Sequence, residues 1–262
     1  MSPATAAAVG AIAGFSIFLG LPVARVRFVS AKLKAFLNAV AAGILVFLLW
    51  DILSHATEPV EAQLAPLKTG HPGPLVAIAA ILVVGFGAGL LSLIYFNGAL
   101  LGRVRPQGGV TSPRWLALAI ATGLGLHNFS EGLAIGQAAT TGAIAFAGVL
   151  VIGFALHNIT EGFGIAAPMA ADEHKPSWAF LGMAGLIGGG PTLIGTVIGV
   201  FTTSPYLYVL FLAVAAGALL FVIGEMFAVG RRLSQPATFG WGLLTGFFVA
   251  YGTDLLLTFV GA

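Results

Sequence analysis

The chain has 262 residues, of which 58% are hydrophobic and only 8% are charged. Soluble domains carry about 25% charged residues, so this chain has too few polar side chains to cover a globule of its size. The composition therefore predicts an integral membrane protein. It excludes disulfides and thiolate metal sites, because cysteine is absent, and it provides no basic face with interleaved aromatic residues for binding nucleic acid.

Eight apolar segments follow one another along the chain, and each is long enough to cross the roughly 30 Å hydrocarbon core of a bilayer as a helix. Long apolar runs, rather than short alternating ones, indicate helices and an all-α fold. The first segment has no basic residue before it, so we interpret it as a span and not as a secretory signal. No soluble domain fits in the loops, which predicts one transmembrane domain over residues 1–262. The predicted spans are 4–22, 35–55, 73–101, 115–138, 142–170, 178–201, 205–230 and 238–260.

The basic residues predict the orientation of these spans. Cytoplasmic loops carry an excess of Lys and Arg. Ten of the eleven basic residues fall in loops on one side of the predicted spans, and only Lys68 falls on the other. We therefore expect the basic loops to be cytoplasmic and both termini to be outside. The ten are Arg25, Arg27, Lys32, Lys34, Arg103, Arg105, Arg114, Lys175, Arg231 and Arg232.

Spans four and five carry the same pattern, Leu-His-Asn-x-x-Glu-Gly, thirty residues apart. Ionisable side chains are costly at membrane depth and normally mark a path for an ion or a substrate. The His and the Glu of each copy are four residues apart, which places them on one helix face. Imidazole nitrogen and carboxylate oxygen are the donors that zinc and similar ions use when no thiolate is present. The repeated residues are His127, Asn128 and Glu131 in span four, and His157, Asn158 and Glu161 in span five.

The numbering of the two copies predicts how they face each other. In an antiparallel hairpin, residues whose numbers have the same sum lie at the same depth. His127 then faces Glu161, and Glu131 faces His157, so two His–Glu layers form near the middle of the membrane. The alternative is a pair of hydrogen-bonded His–Glu clamps without a metal. Asn128 follows His127 where a zinc protease of the HExxH type needs Glu, so we do not expect an enzyme.

Four further ionisable residues lie inside the predicted spans. Asp51 and His55 have the same spacing of four near the outer end of span two. Glu225 lies near the inner end of span seven, and Asp254 lies towards the outer end of span eight. They are candidates for a path into or out of the site, a secondary site or a proton relay. Ordinary pairing with backbone or hydroxyl groups is the alternative.

The two motifs resemble those of the ZIP (Zrt/Irt-like) family of divalent-metal transporters, especially its prokaryotic members. That family has HNxPEG-like sequence in span four and a related sequence in span five. The resemblance extends to the eight spans and the outside termini, so it covers essentially the whole chain. It implies inverted three-helix repeats, formed by spans one to three and six to eight, around spans four and five. It also implies a metal site on spans four and five that is often binuclear, transport into the cytoplasm and commonly a homodimer.

The chain departs from the family pattern at three positions in its spans. Ser130 and Thr160 stand where relatives have proline, and both can bond back to the preceding turn. Many relatives have a Glu before a proline in span six, and the matching position here is Gly190, before Pro191. The loss of that carboxylate, and the two charges of Glu131 and Glu161, favour one tightly held divalent ion over two. The run Gly188–Pro191 also predicts a kink or local break in span six.

These observations predict a divalent-metal importer in the plasma membrane that works by alternating access, with spans four and five moving against the rest. His127, Glu131, His157 and Glu161 would bind the dehydrated ion, with Asn128 and Asn158 as neutral oxygen ligands. Zinc is the leading substrate, and iron, manganese, cobalt and cadmium are alternatives. No organic cofactor is expected. The alternative functions are a membrane sensor or receptor with a structural metal, and a cation-coupled carrier of an organic solute.

Overall fold

The computed structural model describes residues 2–26, 30–104, 112–140, 144–170, 175–202, 204–233 and 236–259. Every regular element in these ranges is a helix. Within the same ranges, five helical segments are long and apolar enough to cross a membrane, which confirms the prediction of a membrane-embedded, all-helical protein. They are Pro3–Arg25, Ala35–Lys68, Gly73–Tyr95, Trp178–Gly199 and Pro205–Ala228.

Each of the eight predicted segments coincides with a long helical segment. The first is interrupted after Phe15 and ends in a 3-10 turn at Leu21–Arg25. Serine side chains cap several helix starts, as Ser30 does by accepting a hydrogen bond from the backbone N–H of Leu33 at 3.2 Å. The α-helices are α1 (Pro3–Phe15), α2 (Ile17–Gly20), α3 (Ala31–Glu61), α4 (Leu64–Lys68), α5 (Gly73–Val104), α6 (Pro113–Thr140), α7 (Ile144–Ala170), α8 (Trp178–Gly199), α9 (Pro205–Leu233) and α10 (Pro236–Phe259).

One group of helices consists of α1 with its continuation to Arg25, α6, α7 and α8, which pack on one another. Glycines bring their backbones together. A Cβ built on Gly14 of α1 would lie 2.2 Å from the carbonyl oxygen of Gly189 in α8, and one on Gly189 would lie 2.1 Å from that of Gly14. Gly20 and Gly162 make a similar contact between the first segment and α7. No side chain fits at such contacts, so this group is held by direct backbone packing.

The second group consists of α3, α5, α9 and α10. Glycines again set the distance between helices: a Cβ on Gly43 of α3 would lie 2.2 Å from the carbonyl oxygen of Leu243 in α10. A Cβ on Gly217 of α9 would lie 2.1 Å from the carbonyl oxygen of Phe86 in α5. Between the two groups, α6 packs on α9 and α7 packs on α3. The repeated His-Asn-x-x-Glu motifs therefore lie on the two helices of the first group that face the second.

Of the kink or local break predicted at Gly188–Pro191, the break is absent, because α8 is one continuous helix from Trp178 to Gly199. Gly188 and Gly189 are buried, and Gly189 packs against α1. This tertiary packing stabilises the helical backbone against the low helix propensity of Gly and Pro. Two of the basic residues that set the predicted orientation, Arg27 and Arg105, lie outside the described residues.

Candidate metal centre

The structure brings the six motif residues of α6 and α7 together in the interior. None of the six is more than 8% exposed, and Asn128 and Asn158 are completely buried. Leu124 lies about one turn before the first motif, and Ile165 lies about one turn after the second. Both are on the side of the motifs that the sequence predicts to be cytoplasmic, and both are completely buried. The motifs therefore form a polar centre that is enclosed by apolar packing, where each unpaired polar atom carries a free-energy cost.

His127 lies between two carboxylates. Its Nε2 is 3.3 Å from Oε1 of Glu131 on the same helix and 3.5 Å from Oε1 of Glu161 on α7. The cross-helix approach of His127 and Glu161 is the one that their numbering predicts. Good N–H···O hydrogen bonds have donor–acceptor distances of about 2.7–3.2 Å, and neither ring nitrogen of His127 has a hydrogen-bond partner. The three groups are close, but hydrogen bonds do not explain their positions.

The second predicted layer, Glu131 with His157, is not formed by a direct hydrogen bond. Both carboxylate oxygens of Glu131 and both ring nitrogens of His157 are buried without a hydrogen-bond partner. A buried polar group without a partner costs about 1–3 kcal/mol, and such groups are rare in folded proteins. Several of them lie together at this place in the described part of the chain.

Asn128 connects three helices through one nitrogen atom. Its Nδ2 donates to Oδ1 of Asn158 at 2.7 Å, to Oε2 of Glu161 at 2.8 Å and to the backbone carbonyl oxygen of Gly188 in α8 at 3.0 Å. Its own Oδ1 is buried without a partner. Asn158 in turn donates from Nδ2 to the carbonyl oxygen of Phe154, one turn back in α7, at 2.9 Å. Asn128 therefore holds Glu161 through Oε2, while Oε1 of the same carboxylate faces His127.

Ser130 and Thr160 make the same local bond. The hydroxyl of Ser130 donates to the carbonyl oxygen of His127, and the hydroxyl of Thr160 donates to that of His157, both at 2.6 Å. The sequence predicts this bonding to the preceding turn. In both motifs a side-chain hydroxyl therefore donates to the backbone carbonyl of the motif histidine, one turn earlier in the helix.

The described residues contain no set of three or more His, Asp and Glu side chains that could hold a metal ion as they are arranged. The donors approach one another in pairs around His127 rather than around one common point. Binding a metal here would require Glu131, His157 and Glu161 to adjust their side chains. Such adjustment is common, because catalytic and ligating contacts often tighten only when the ligand is bound.

The four other ionisable candidates fall at different places. His55 is paired with Asp51: their Nδ1 and Oδ1 atoms are 3.5 Å apart, and the same nitrogen is 2.9 Å from the backbone oxygen of Asp51. Asp51 interacts electrostatically with Asp254, His127 and Glu131. Glu225 is half-buried on α9.

Gly190 does not face the centre. A Cβ built on it would have no atom within 4 Å, and the residues one turn before and after it, Leu186 and Ile194, are exposed. Gly188, half a turn away, is buried and accepts the hydrogen bond from Asn128. A side chain at position 190 would therefore point away from His127 in this arrangement of α8.

The backbone carbonyl of Gly188 is the part of the centre that sequence reasoning misses. Side-chain patterns do not reveal backbone ligands, although the run Gly188–Pro191 marks the right segment of α8. Comparison of the chain with protein-family models and with curated proteins finds no match to either.

Proposed function

We propose that the protein is a ZIP-like transporter of divalent metal ions, with zinc as its principal substrate and the α6–α7 centre as its binding site. The observation that carries this proposal is the spacing around His127. Two donors bound to one tetrahedral zinc at about 2.0–2.2 Å are about 3.4 Å apart. The separations from His127 Nε2 to Glu131 and Glu161, 3.3 and 3.5 Å, are of this size and are too long for good hydrogen bonds.

The chemistry of the remaining donors supports the same function. Glu131 and Glu161 supply two negative charges, which match one divalent ion, and His157 supplies a further imidazole. Asn128 and Asn158 supply neutral oxygen atoms. Within the described residues, no other polar groups are buried as a comparable cluster. A buried cluster of this kind on apolar helices is the usual mark of an ion path.

We propose that all eight long helical segments span the membrane and that α3 and α5 correspond to α9 and α10 in an inverted repeat. The glycine contacts support this correspondence. Gly43 of α3 packs on α10, and Gly217 of α9 packs on α5. On the partner helices, Gly246 packs on the backbone of Val40, and Gly89 packs on that of Val214. If α3 is exchanged with α9 and α10 with α5, the α3–α10 interface becomes the α9–α5 interface.

The two helix groups favour a particular movement for alternating access. Backbone contacts through glycine join α1, α6, α7 and α8, so we propose that these four helices move as one body and not α6 and α7 alone. Side chains such as Val222 and Met226 of α9 lie against glycines of α6 and α7 at the interface between the groups. The groups can shift against each other there without breaking backbone packing.

In this proposal the protein resides in the plasma membrane with both termini outside, imports metal into the cytoplasm and forms a homodimer. The direction rests on the basic loops, and the dimer rests on the family resemblance.

The test is zinc uptake into proteoliposomes that contain the full-length protein. The double variant His127→Ala, Glu161→Ala should abolish uptake, whereas the matched double variant His71→Ala, Glu61→Ala should not, because His71 and Glu61 are exposed. Uptake at the wild-type rate by the first variant would overturn the assignment of the site. Bound zinc that does not cross the bilayer would instead indicate a sensor. Flux of an organic solute that needs no metal would indicate a solute carrier.

A further inference from the structure

Two basic residues meet where the first helical segment ends beside the start of α8. The guanidinium of Arg25 donates from Nη1 to the backbone carbonyl oxygen of Pro176, and Nζ of Lys175 donates to the backbone carbonyl oxygen of Arg25. Both basic side chains are half-buried, and Pro176 is buried. These bonds hold two positive charges close together at one end of the first helix group.

The indole of Trp178 lies against this basic pair. The guanidinium carbon of Arg25 is 4.8 Å from the centre of the indole ring, which is a cation–π contact. Arg25 is the last residue of one segment that is long and apolar enough to cross a membrane, and Trp178 is the first residue of another. Trp178 is also 61% exposed. Tryptophan at the end of a membrane helix normally lies at the level of the lipid headgroups, so we expect the basic pair at the same level.

The charge of Arg25 is not neutralised by a carboxylate in the described part of the chain. There its side chain bonds to the carbonyl of Pro176 and stacks on the ring of Trp178. A guanidinium carries five N–H groups in a planar fork that matches a phosphate, so one bond to a carbonyl leaves most of its donors available. A basic pocket between helices at this level is suited to an anionic headgroup of the membrane itself.

An open strip of α8 continues from Trp178 along the helix. A Cβ built on Gly182, about one turn further on, would have no atom within 4 Å. Leu186, the next residue at this spacing, is 57% exposed. Residues four apart are neighbours on a helix surface, so the three positions form one continuous strip. The strip leaves room for an acyl chain that extends from the basic pair into the membrane.

We propose that Arg25, Lys175 and Trp178 form a binding site for one anionic phospholipid. Its phosphate lies at Arg25 and Lys175, and an acyl chain lies along α8 at Gly182. The occupant is a lipid and not a soluble phosphate, because the basic pair is continuous with an exposed indole and an open strip of a membrane helix. Phosphatidylcholine carries no net negative charge, so it binds more weakly than phosphatidylglycerol. This inference goes beyond the proposed function and requires only that the protein is embedded in a membrane.

The test is quenching of tryptophan fluorescence by brominated lipids, with the full-length protein in phosphatidylcholine nanodiscs. Brominated phosphatidylglycerol replaces a rising share of the lipid, and brominated phosphatidylcholine is the reference. The difference between each protein and its Trp178→Phe counterpart gives the signal of Trp178. Half-maximal quenching of Trp178 should require about a 25-fold smaller share of phosphatidylglycerol than of phosphatidylcholine, because each of the two basic residues favours anionic lipid about fivefold.

Charge variants test the basic pair. Arg25→Gln should lower the preference for phosphatidylglycerol about fivefold, and the double variant Arg25→Gln, Lys175→Gln should abolish it. Glutamine can still donate to the carbonyl of Pro176, so the local fold is retained. Lys32→Gln is the matched control, because Lys32 is an exposed basic residue near the start of α3, in the second helix group. Its loss should leave the preference unchanged.

A second pair of variants tests the acyl chain without changing any charge. Gly182→Leu fills the open strip and should lower the preference for phosphatidylglycerol. Gly240→Leu is its control: a Cβ on Gly240 would also meet nothing within 4 Å, and Gly240 lies four residues after the start of α10, as Gly182 does in α8. It should leave the preference unchanged. Inorganic phosphate added to the buffer should not displace the lipid.

Four results would overturn the inference. The first is equal quenching of Trp178 by the two lipids in the wild type. The second is a loss in Lys32→Gln as large as in Arg25→Gln, which would indicate general attraction to a basic surface. The third is a Gly182→Leu variant that behaves like Gly240→Leu, and the fourth is displacement by inorganic phosphate, which would indicate a site for a soluble anion. None of these measurements uses zinc, so their failure is distinguishable from failure of the transport proposal.

Discussion

The imidazole of His127 and the carboxylate of Glu161 lie on neighbouring helices with Nε2 and Oε1 3.5 Å apart, and neither atom has a hydrogen-bond partner. If both bind one zinc ion, their contributions to affinity cannot be independent. We expect His127→Ala and Glu161→Gln each to lower zinc affinity about 100-fold, because each substitution removes one proposed ligand of the ion. The double variant should lose clearly less than the product of the two effects.

This double-mutant cycle is measured by zinc titration of the detergent-solubilised protein against a competing chelator. His71→Ala, on the exposed turn before α5, is the control and should have no effect. Multiplicative losses in the double variant would mean that the two residues bind separate ions or none.

Much of this arrangement could be predicted from the sequence, because repetition and numbering carry geometric information. The equal numbering sum of His127 with Glu161 requires only that α6 and α7 form an antiparallel pair, and this contact is observed. The contact of Glu131 with His157 depends on side-chain rotamers, which the numbering does not specify. The direction in which position 190 points could not be predicted, because it depends on which face of α8 packs against α6. That face is decided by backbone packing of glycines against α1 and α6, which a pattern of apolar residues does not reveal.

The pH dependence of zinc binding follows from the ligand chemistry. Imidazole and carboxylate bind a metal only when they are deprotonated, so protons compete with zinc and zinc binding releases protons. Zinc affinity should therefore fall as the pH is lowered from about 7 to 5, the range in which histidine ordinarily becomes charged. Titration calorimetry in buffers with different ionisation enthalpies measures the number of protons released.

A His157→Gln variant tests whether the second imidazole contributes to this dependence. It should bind zinc more weakly at pH 7 and release fewer protons than the wild type. An affinity that does not change with pH, in either protein, would exclude histidine as a ligand.

Gly189 and Gly190 are adjacent in sequence, but only Gly189 lies at a close helix–helix contact. A Cβ on Gly189 would lie 2.1 Å from the carbonyl oxygen of Gly14, whereas a Cβ on Gly190 would meet nothing within 4 Å. Gly189→Ala should therefore lower the free energy of unfolding by about 1–3 kcal/mol, because α1 and α8 must separate. Gly190→Ala should be neutral or stabilising by up to about 1 kcal/mol, because alanine has the higher helix propensity.

Reversible unfolding in mixed micelles measures both glycine variants. The comparison is internally matched, since both changes add one methyl group to the same helix turn. Equal effects of the two substitutions would contradict the packing of α8 on α1.

Asp51 interacts electrostatically with His127 and Glu131, and its Oδ1 is 3.5 Å from Nδ1 of His55, the more exposed of the two side chains. If cations pass this pair on their way to the centre, Asp51→Asn should slow zinc uptake at low zinc concentration by about tenfold, through loss of electrostatic attraction. Equilibrium zinc affinity should change much less, because Asp51 is not among the proposed ligands. Initial uptake rates are measured at several zinc concentrations and ionic strengths. An unchanged rate at low ionic strength would place the path elsewhere.

The hydroxyl of Ser130 donates to the carbonyl oxygen of His127 at 2.6 Å. Since α6 is continuous from Pro113 to Thr140, the backbone N–H of residue 130 is available to a regular helical turn. Ser130→Ala should cost no more than about 1 kcal/mol, because only the side-chain bond is lost. Ser130→Pro should cost about 3 kcal/mol, since proline removes a helical hydrogen bond and its ring collides with the carbonyl of Leu126.

Thr245 provides the control for the hydroxyl effect. It makes the same kind of bond to the carbonyl of Trp241, at 2.8 Å, but on an exposed face of α10, so Thr245→Val should be nearly neutral. All three variants are compared by unfolding in mixed micelles and by zinc uptake. A Ser130→Pro variant as stable as the wild type would mean that α6 tolerates a kink at the centre without cost, and the serine would then have no role in keeping this helix straight.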